Sequence, residues 1–406
     1  MRLLSCRGCP TRIRRNTERG FRRTGITLAR VLSVLLAFAV CPTSSAAERK
    51  PPSFRFLQKS GPYAVGLKVV DQYDHSRKFG DGLRPVQTLV WYPAYASAGK
   101  TMTVGDYAQL AATIVHFKRP DKNNEWQSKL AASADVQLWA VRGATPVSGH
   151  FPVVVYAPGD SSVAWENADL CEYLASQGFV VLASPSLGAS TRDMTDDVSG
   201  INAQARDISF LVSYAKKLRD TDVSKVAVAG WSWGGISNLF AAARDTRIKA
   251  LVAFDGSMRY YPELVKKGDV HPDRMTIPLL FFTRGYISFE KLEHYDVADN
   301  YGPSVLNAWS DDLWTVHMLG MSHPEFASMY QRAESDARFA ENQIADYGRE
   351  DANIYYAWVA RYTLAFLDAY LNGEASGMTF LKNAPAQNSV PKHFMTVSFR
   401  ATVKSR

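Results

Sequence analysis

The strongest constraint on how this chain folds is a series of short apolar runs that do not alternate with polar residues. Six of them follow one another: Pro152–Tyr156, Phe179–Ala183, Lys225–Ala229, Ala250–Phe254, Leu279–Phe282 and Leu313–Met318. A strand with one face in water alternates apolar and polar residues, whereas a strand covered on both faces reads as a continuous apolar run. Helical stretches lie between the runs, so the pattern predicts parallel strands with helices on both faces of the sheet. Two earlier runs, Ala64–Asp71 and Thr88–Tyr92, bring the expected sheet to eight strands. Helices are expected over Asn167–Gln177, closed by Gly178, and over Ile201–Leu218, Ile236–Arg244 and Asp351–Leu371. The last carries Ile354, Trp358, Tyr362, Phe366 and Tyr370 at four-residue spacing, a stripe that reads as core packing rather than a cofactor box. The expected class is α/β, with an eight-stranded, mostly parallel sheet in one domain over residues 48–385. Residues 102–150 read as a helical insertion and 325–350 as a charged, partly helical excursion, and either is positioned to roof a pocket. Residues 386–406 read as a C-terminal tail.

The first 47 residues are of another kind. They hold nine arginines, one glutamate, the apolar stretch Val31–Val40 and the small residues Ser45-Ala46-Ala47. A basic start, a short apolar middle and a small-residue exit are the parts of a secretory signal peptide. The apolar stretch is too short for a bilayer span, which takes about 20 residues. The expected location is therefore secreted or periplasmic. This leader accounts for the whole formal charge of +8, so the remainder is near neutral. A near-neutral body argues against nucleic acid or an anionic membrane as partner. Three of the four cysteines (Cys6, Cys9 and Cys41) leave with the leader, so no intrachain disulfide is expected. Cys171 reads as a buried small hydrophobe rather than a reactive thiol. With 46% apolar residues, the chain can be held by its core alone.

One turn carries chemistry. Gly230-Trp-Ser-Trp-Gly-Gly235 follows the run ending at Ala229 and precedes the helix from Ile236. Strand, glycine-flanked turn and helix form the context in which a serine, here Ser232, is presented as a nucleophile. An activated serine needs a base within hydrogen-bond reach and an acid to orient that base. His323 lies in a glycine-containing loop just beyond the eighth run, where an α/β sheet places ligand-contacting groups. It is preferred to His271, His294, His317 and His393. Asp255 ends the sixth run and precedes Gly256, which positions it as the acid, with Glu290 or Asp296 as rivals. A developing oxyanion would be met by the backbone N–H of Trp233, directly after the nucleophile. The second donor would be the N–H of Asp160, in the loop after the third run, where Gly159 allows close approach.

These motifs resemble the platelet-activating-factor acetylhydrolase and dienelactone-hydrolase-like branch of the α/β-hydrolases. The resemblance rests on Phe151–Gly159, Gly230–Gly235, Ala253–Gly256 and Ser322–Ser328. It implies the α/β-hydrolase fold and an acid after the sixth strand, as at Asp255. Pro158 departs from the pattern, since relatives usually have histidine before the oxyanion glycine. Serine stands where dienelactone hydrolases proper use cysteine, so lactone opening does not follow. The expected activity is hydrolysis of carboxylic esters by a Ser-His-Asp acyl-enzyme route, with small-molecule esters of short-chain or lipid-like acyl groups as substrates. Trp231, Trp233, Met258, Tyr260 and Tyr261 suggest an apolar acyl site. A peptidase or amidase of the same fold is the alternative, and a non-catalytic binding module ranks last. No metal-ligand spacing and no glycine-rich phosphate loop occurs, so no metal or cofactor is expected.

Overall fold

The computed structural model describes residues 53–285, 305–333 and 347–402. The expected leader, and the rivals Glu290, Asp296 and His294, lie outside the described residues. The chain from Pro51 onward forms one compact unit. Among the described residues eleven strands occur in chain order: β1 Ala64–Phe79, β2 Gly82–Ala94, β3 Thr101–Thr103, β4 Gln137–Arg142, β5 Phe151–Ala157, β6 Val180–Ala183, β7 Thr221–Trp231, β8 Ile248–Phe254, β9 Leu279–Arg284, β10 Leu313–Met318 and β11 Met395–Arg400. They make one sheet in the order β11-β10-β9-β8-β7-β5-β6-β2-β1-β4-β3. The six from β6 to β10 are mutually parallel, as their continuous apolar runs require. β2 runs antiparallel to β6 and β1, and β11 antiparallel to β10.

The expected eight strands are all present, but the sheet has eleven, and the three additions are at its edges. β3 overlaps the start of residues 102–150 and β4 lies within them, with the short helices α1 Val104–Leu110 and α2 Glu125–Lys129 between, so this is a mixed strand-and-helix segment rather than a helical insertion. β11 lies in the expected tail, where Phe399 stacks on Trp314 of β10 with ring centroids 4.2 Å apart. Edge strands are half-exposed and short, so they lack the continuous apolar signature that marks the centre.

Side chains alternate between two cores. Val154 and Tyr156 of β5 and Ala227, Ala229 and Trp231 of β7 point into one, with α3 (Ala168–Ser176) and the long helix Arg349–Leu367. Val153 and Val155 of β5 and Val226 and Val228 of β7 point into the other, against α4 (Val198–Ala215) and α5 (Trp233–Ala242). The stripe on the long helix packs inward at Tyr362 and Phe366, and Gly373 ends that region at φ +71°, a left-handed conformation that glycine adopts without strain. Cys171 is buried in α3. Among the described residues no helix is long and apolar enough to cross a membrane.

The chain passes from β5 to β6 on one side, then returns to place β7 on the other side of β5. Such a reversal opens a crevice at the carboxyl ends of the two strands, the place where open α/β sheets bind ligands. The loop after β5 and the turn after β7 both emerge there.

Candidate active site

Ser232 is the hinge of the turn between β7 and α5. Its backbone sits at φ +54°, ψ −121°, a conformation costly for a residue with a Cβ and sustained only where the surroundings impose it. The Ser232 N–H donates to the Phe254 carbonyl at 3.2 Å, and its carbonyl accepts from Gly235 at 3.0 Å and Ser257 at 2.8 Å. The glycines that follow allow the helix to start against neighbouring main chain. A Cβ on Gly234 would lie 2.0 Å from the Ala157 carbonyl oxygen, and one on Gly235 would lie 2.6 Å from Gly256 Cα. The loop after β5 and the loop after β8 are thus both pressed against the first turn of α5.

His323 opens a one-turn helix, His323–Phe326, in the loop beyond β10. Its Nε2 lies 2.9 Å from Ser232 Oγ and its Nδ1 lies 2.6 Å from Asp255 Oδ2. With the proton on Nδ1, the imidazole donates to the carboxylate and accepts from the hydroxyl, the tautomer that serves a base. Asp255 is fully buried, at φ +44°, directly after β8. Burial alone would raise its carboxyl. The hydrogen bond and charge of His323, the nearby Arg284 guanidinium and the Tyr260 hydroxyl outweigh that and hold it at about 2. Tyr260 donates to Asp255 Oδ1 at 2.7 Å, and Arg284 Nε stands 3.4 Å from Oδ2. Asp255 therefore stays ionised and can stabilise an imidazolium opposite it.

The histidine loop is held from several sides. The Trp231 indole packs on the His323 ring with centroids 4.9 Å apart, and its Nε1 donates to the His323 carbonyl at 2.9 Å. Buried Glu325 accepts from the Ser322 N–H at 2.5 Å and from the Tyr347 hydroxyl at 3.0 Å. Tyr330 packs against Trp231 with ring centroids 5.0 Å apart and meets Trp126, from the 102–150 segment, at 5.3 Å. That segment thereby reaches the apolar wall of the crevice.

The structure brings Ser232, Asp255, His323 and Trp233 together and sets the Asp160 loop beside them. Gly159 packs so closely on Trp231 that a Cβ there would lie 2.7 Å from the indole. Gln204 donates to the Pro158 carbonyl at 2.7 Å and Ser186 to the Gly159 carbonyl, so the loop with the unusual Pro158 is fixed by side chains of other elements. Among the described residues, neither the Trp233 nor the Asp160 backbone N–H has a hydrogen-bond partner, as donors reserved for a ligand would be. The other histidines that the structure describes serve elsewhere. His271 pairs with Asp269 at 3.1 Å, and His317 faces the Gly285 carbonyl at 3.4 Å.

The aromatic expectations are only partly met. Tyr261 stacks on Trp233 at 5.3 Å and is well exposed, but Met258 is fully buried and the Tyr260 hydroxyl is spent on Asp255. Met258, with no exposed surface, does not line an acyl site. Sequence reasoning also missed Arg284 and Glu166. The only hint of Glu166 was a carboxylate directly after the apolar Val163-Ala164-Trp165.

The sheet order and the strand–turn–helix around Ser232 give the α/β-hydrolase fold. Comparisons with known proteins agree. A PET hydrolase-like family model matches residues 140–258, a span that includes Ser232 and Asp255. A putative carboxymethylenebutenolidase of Yersinia pestis is 29% identical over 123 residues, covering 27% of this chain and 45% of that protein. A probable 1-alkyl-2-acetylglycerophosphocholine esterase of Arthroderma benhamiae is 20% identical over 237 residues, 51% of this chain and 60% of that one. The chain thus spans about half the length of the curated relatives it matches. Among solved structures, a ferulic acid esterase from Streptomyces cinnamoneus superposes with a TM-score of 0.61 at 20% identity, covering 84% of this chain and 98% of that one. These likenesses support the same α/β-hydrolase branch that the motifs resemble.

Proposed function

We propose that this protein is a serine hydrolase of carboxylic esters, exported by its N-terminal leader and acting outside the cytoplasm. The observation that carries the reading is the relay from Ser232 Oγ to His323 Nε2 at 2.9 Å and from His323 Nδ1 to Asp255 at 2.6 Å. Ser232 attacks the ester carbonyl while His323 takes its proton, and the carbonyl oxygen becomes negative as the tetrahedral intermediate forms. The Trp233 and Asp160 N–H groups meet that charge. His323 then returns the proton to the leaving alcohol, and water repeats the sequence on the acyl-enzyme with the same base. No step needs a metal or cofactor.

The names of the relatives bring forward an acetyl ester and a ferulic acid ester, both with compact acyl groups. Trp231, Tyr330, Trp233 and Tyr261 supply apolar walls near the nucleophile, which suit a small apolar or aromatic acyl group. The test is a panel of p-nitrophenyl esters from acetate to octanoate, with methyl ferulate beside it, on the wild type and Ser232→Ala. Turnover of the shorter esters and methyl ferulate that disappears in Ser232→Ala supports the reading. Equal, slow hydrolysis by both proteins would overturn it.

A further inference from the structure

Glu166 is fully buried, yet no step described above uses it. Its two carboxyl oxygens lie 3.0 and 3.1 Å from the Gly159 nitrogen, and Oε1 lies 2.7 Å from the Tyr156 hydroxyl. Gly159 immediately precedes Asp160, the second of the two free N–H donors. Glu166 also touches the other half of the site, since its backbone carbonyl accepts from the Met329 N–H at 3.0 Å. Its neighbour Asn167 donates to the Phe326 carbonyl at 3.0 Å and accepts from the Ser328 N–H at 3.1 Å. Residues 166 and 167 therefore tie the loop after β5 to the segment that carries His323.

We infer that Glu166 is a positioning residue for ester hydrolysis: its carboxyl holds the Gly159 N–H and so fixes the Pro158–Gly159 peptide, from which the chain runs on so that the next N–H, that of Asp160, faces the developing oxyanion. This rests on the functional reading above. A displacement of about 1 Å in such a donor is enough to cost about a hundredfold in rate. Burial pushes the Glu166 carboxyl up to about 8. At neutral pH it is therefore an uncharged acid, whose carbonyl oxygen still accepts from both the Gly159 N–H and the Tyr156 hydroxyl. It then adds no negative charge beside the site where negative charge must develop. Above about pH 8 it ionises and opposes that charge. The titratable groups around it are Tyr156 on β5, Cys171 on α3 and Tyr330 on the helix Ser328–Ala333. Burial foremost, and nearby carboxylates including Glu166, push all three upward, so they stay neutral while Glu166 titrates.

The test compares Glu166→Ala and Glu166→Gln with the full-length wild type on p-nitrophenyl acetate, using Ser232→Ala as the blank. Glu166→Ala is expected to lower kcat about 10- to 100-fold with KM changed less than about threefold. Glu166→Gln, which mimics the neutral acid, should hold kcat within about threefold at pH 7 and lose the decline in kcat that the wild type shows above about pH 8. Tyr156→Phe, which removes the other anchor of the carboxyl, should lower kcat in the same direction by a smaller factor. A readout independent of turnover is hydrogen exchange of the 157–162 peptide, which Glu166→Ala should speed at least tenfold while the β7 peptide is unchanged. Unchanged exchange there, or a Glu166→Gln enzyme with the wild-type alkaline decline, would overturn the inference. An inactive wild type with fast exchange in Glu166→Ala would fault the functional reading instead, leaving the contact itself supported.

Discussion

Replacing Gly234 by alanine sets two effects of known size against each other. Gly234 is the second residue of α5, where alanine is favoured over glycine by about 1 kcal/mol in a helix. The new methyl, however, would lie 2.0 Å from the Ala157 carbonyl oxygen and 2.7 Å from that of Pro158, and both obstacles are main chain. Restoring ordinary contact requires the start of α5 and the loop after β5 to separate by roughly 1 Å. Overpacking of this kind costs about 1–3 kcal/mol, and main-chain walls put it toward the upper end. The net expectation is a destabilisation of about 1–2 kcal/mol, read as a lower urea midpoint. The larger effect falls on rate, because the separation moves the Asp160 N–H away from the one at Trp233. A shift of about 1 Å corresponds to about a hundredfold in kcat, measured with p-nitrophenyl acetate. A Gly234→Ala protein as stable as the wild type, with unchanged kcat, would refute the claim that the turn is built for close main-chain approach.

Three further outcomes are expected. Tyr260→Phe removes a 2.7 Å hydrogen bond to buried Asp255 and should lower kcat a few-fold to tenfold with little change in KM, as steady-state kinetics would show. Asp207 joins Arg84 and Arg77 in a nearly water-free cluster, and Arg77 keeps Asp74 as a second partner, so Asp207→Ala strands the Arg84 guanidinium and should cost about 3–5 kcal/mol in urea unfolding. Glu166 and Glu172 are both pushed up to about 8 by burial, so between about pH 4.5 and 8 the unfolded chain releases protons that the folded one keeps. Their contribution to stability therefore falls as pH rises through that window, on the order of 1 kcal/mol per unit for each. Urea midpoints at pH 5 and pH 8 should show that decline, and Glu172→Gln should flatten it.

What could be read in the sequence, and what could not, divides along a physical line. The central strands were legible because burial on both faces removes every polar residue from runs such as Val180–Ala183. β4 and β11 were not, since only alternate positions such as Leu138, Ala140 and Met395 are buried at the sheet edge. Ser232 and Asp255 could be named because each follows a strand directly, and His323 because it lies in the loop just beyond β10; strand ends converge at the crevice. Glu166, Tyr260 and Arg284 could not. Their partners lie on loops whose approach depends on how closely α5 packs on Ala157 and Gly256, a property of the assembled fold. Tyr260 shows the difference most plainly, since its ring reads as an acyl wall while its hydroxyl is committed to Asp255.

The central claim, that Ser232 is the nucleophile activated by His323 and Asp255, is tested most directly by covalent labelling. Treatment with a fluorophosphonate ester and digestion for mass spectrometry should show one adduct per chain, on the peptide containing Ser232. Labelling should be lost in Ser232→Ala and slowed at least a hundredfold in His323→Ala. Stoichiometric labelling of a different serine, or equal labelling rates in wild type and His323→Ala, would contradict the account.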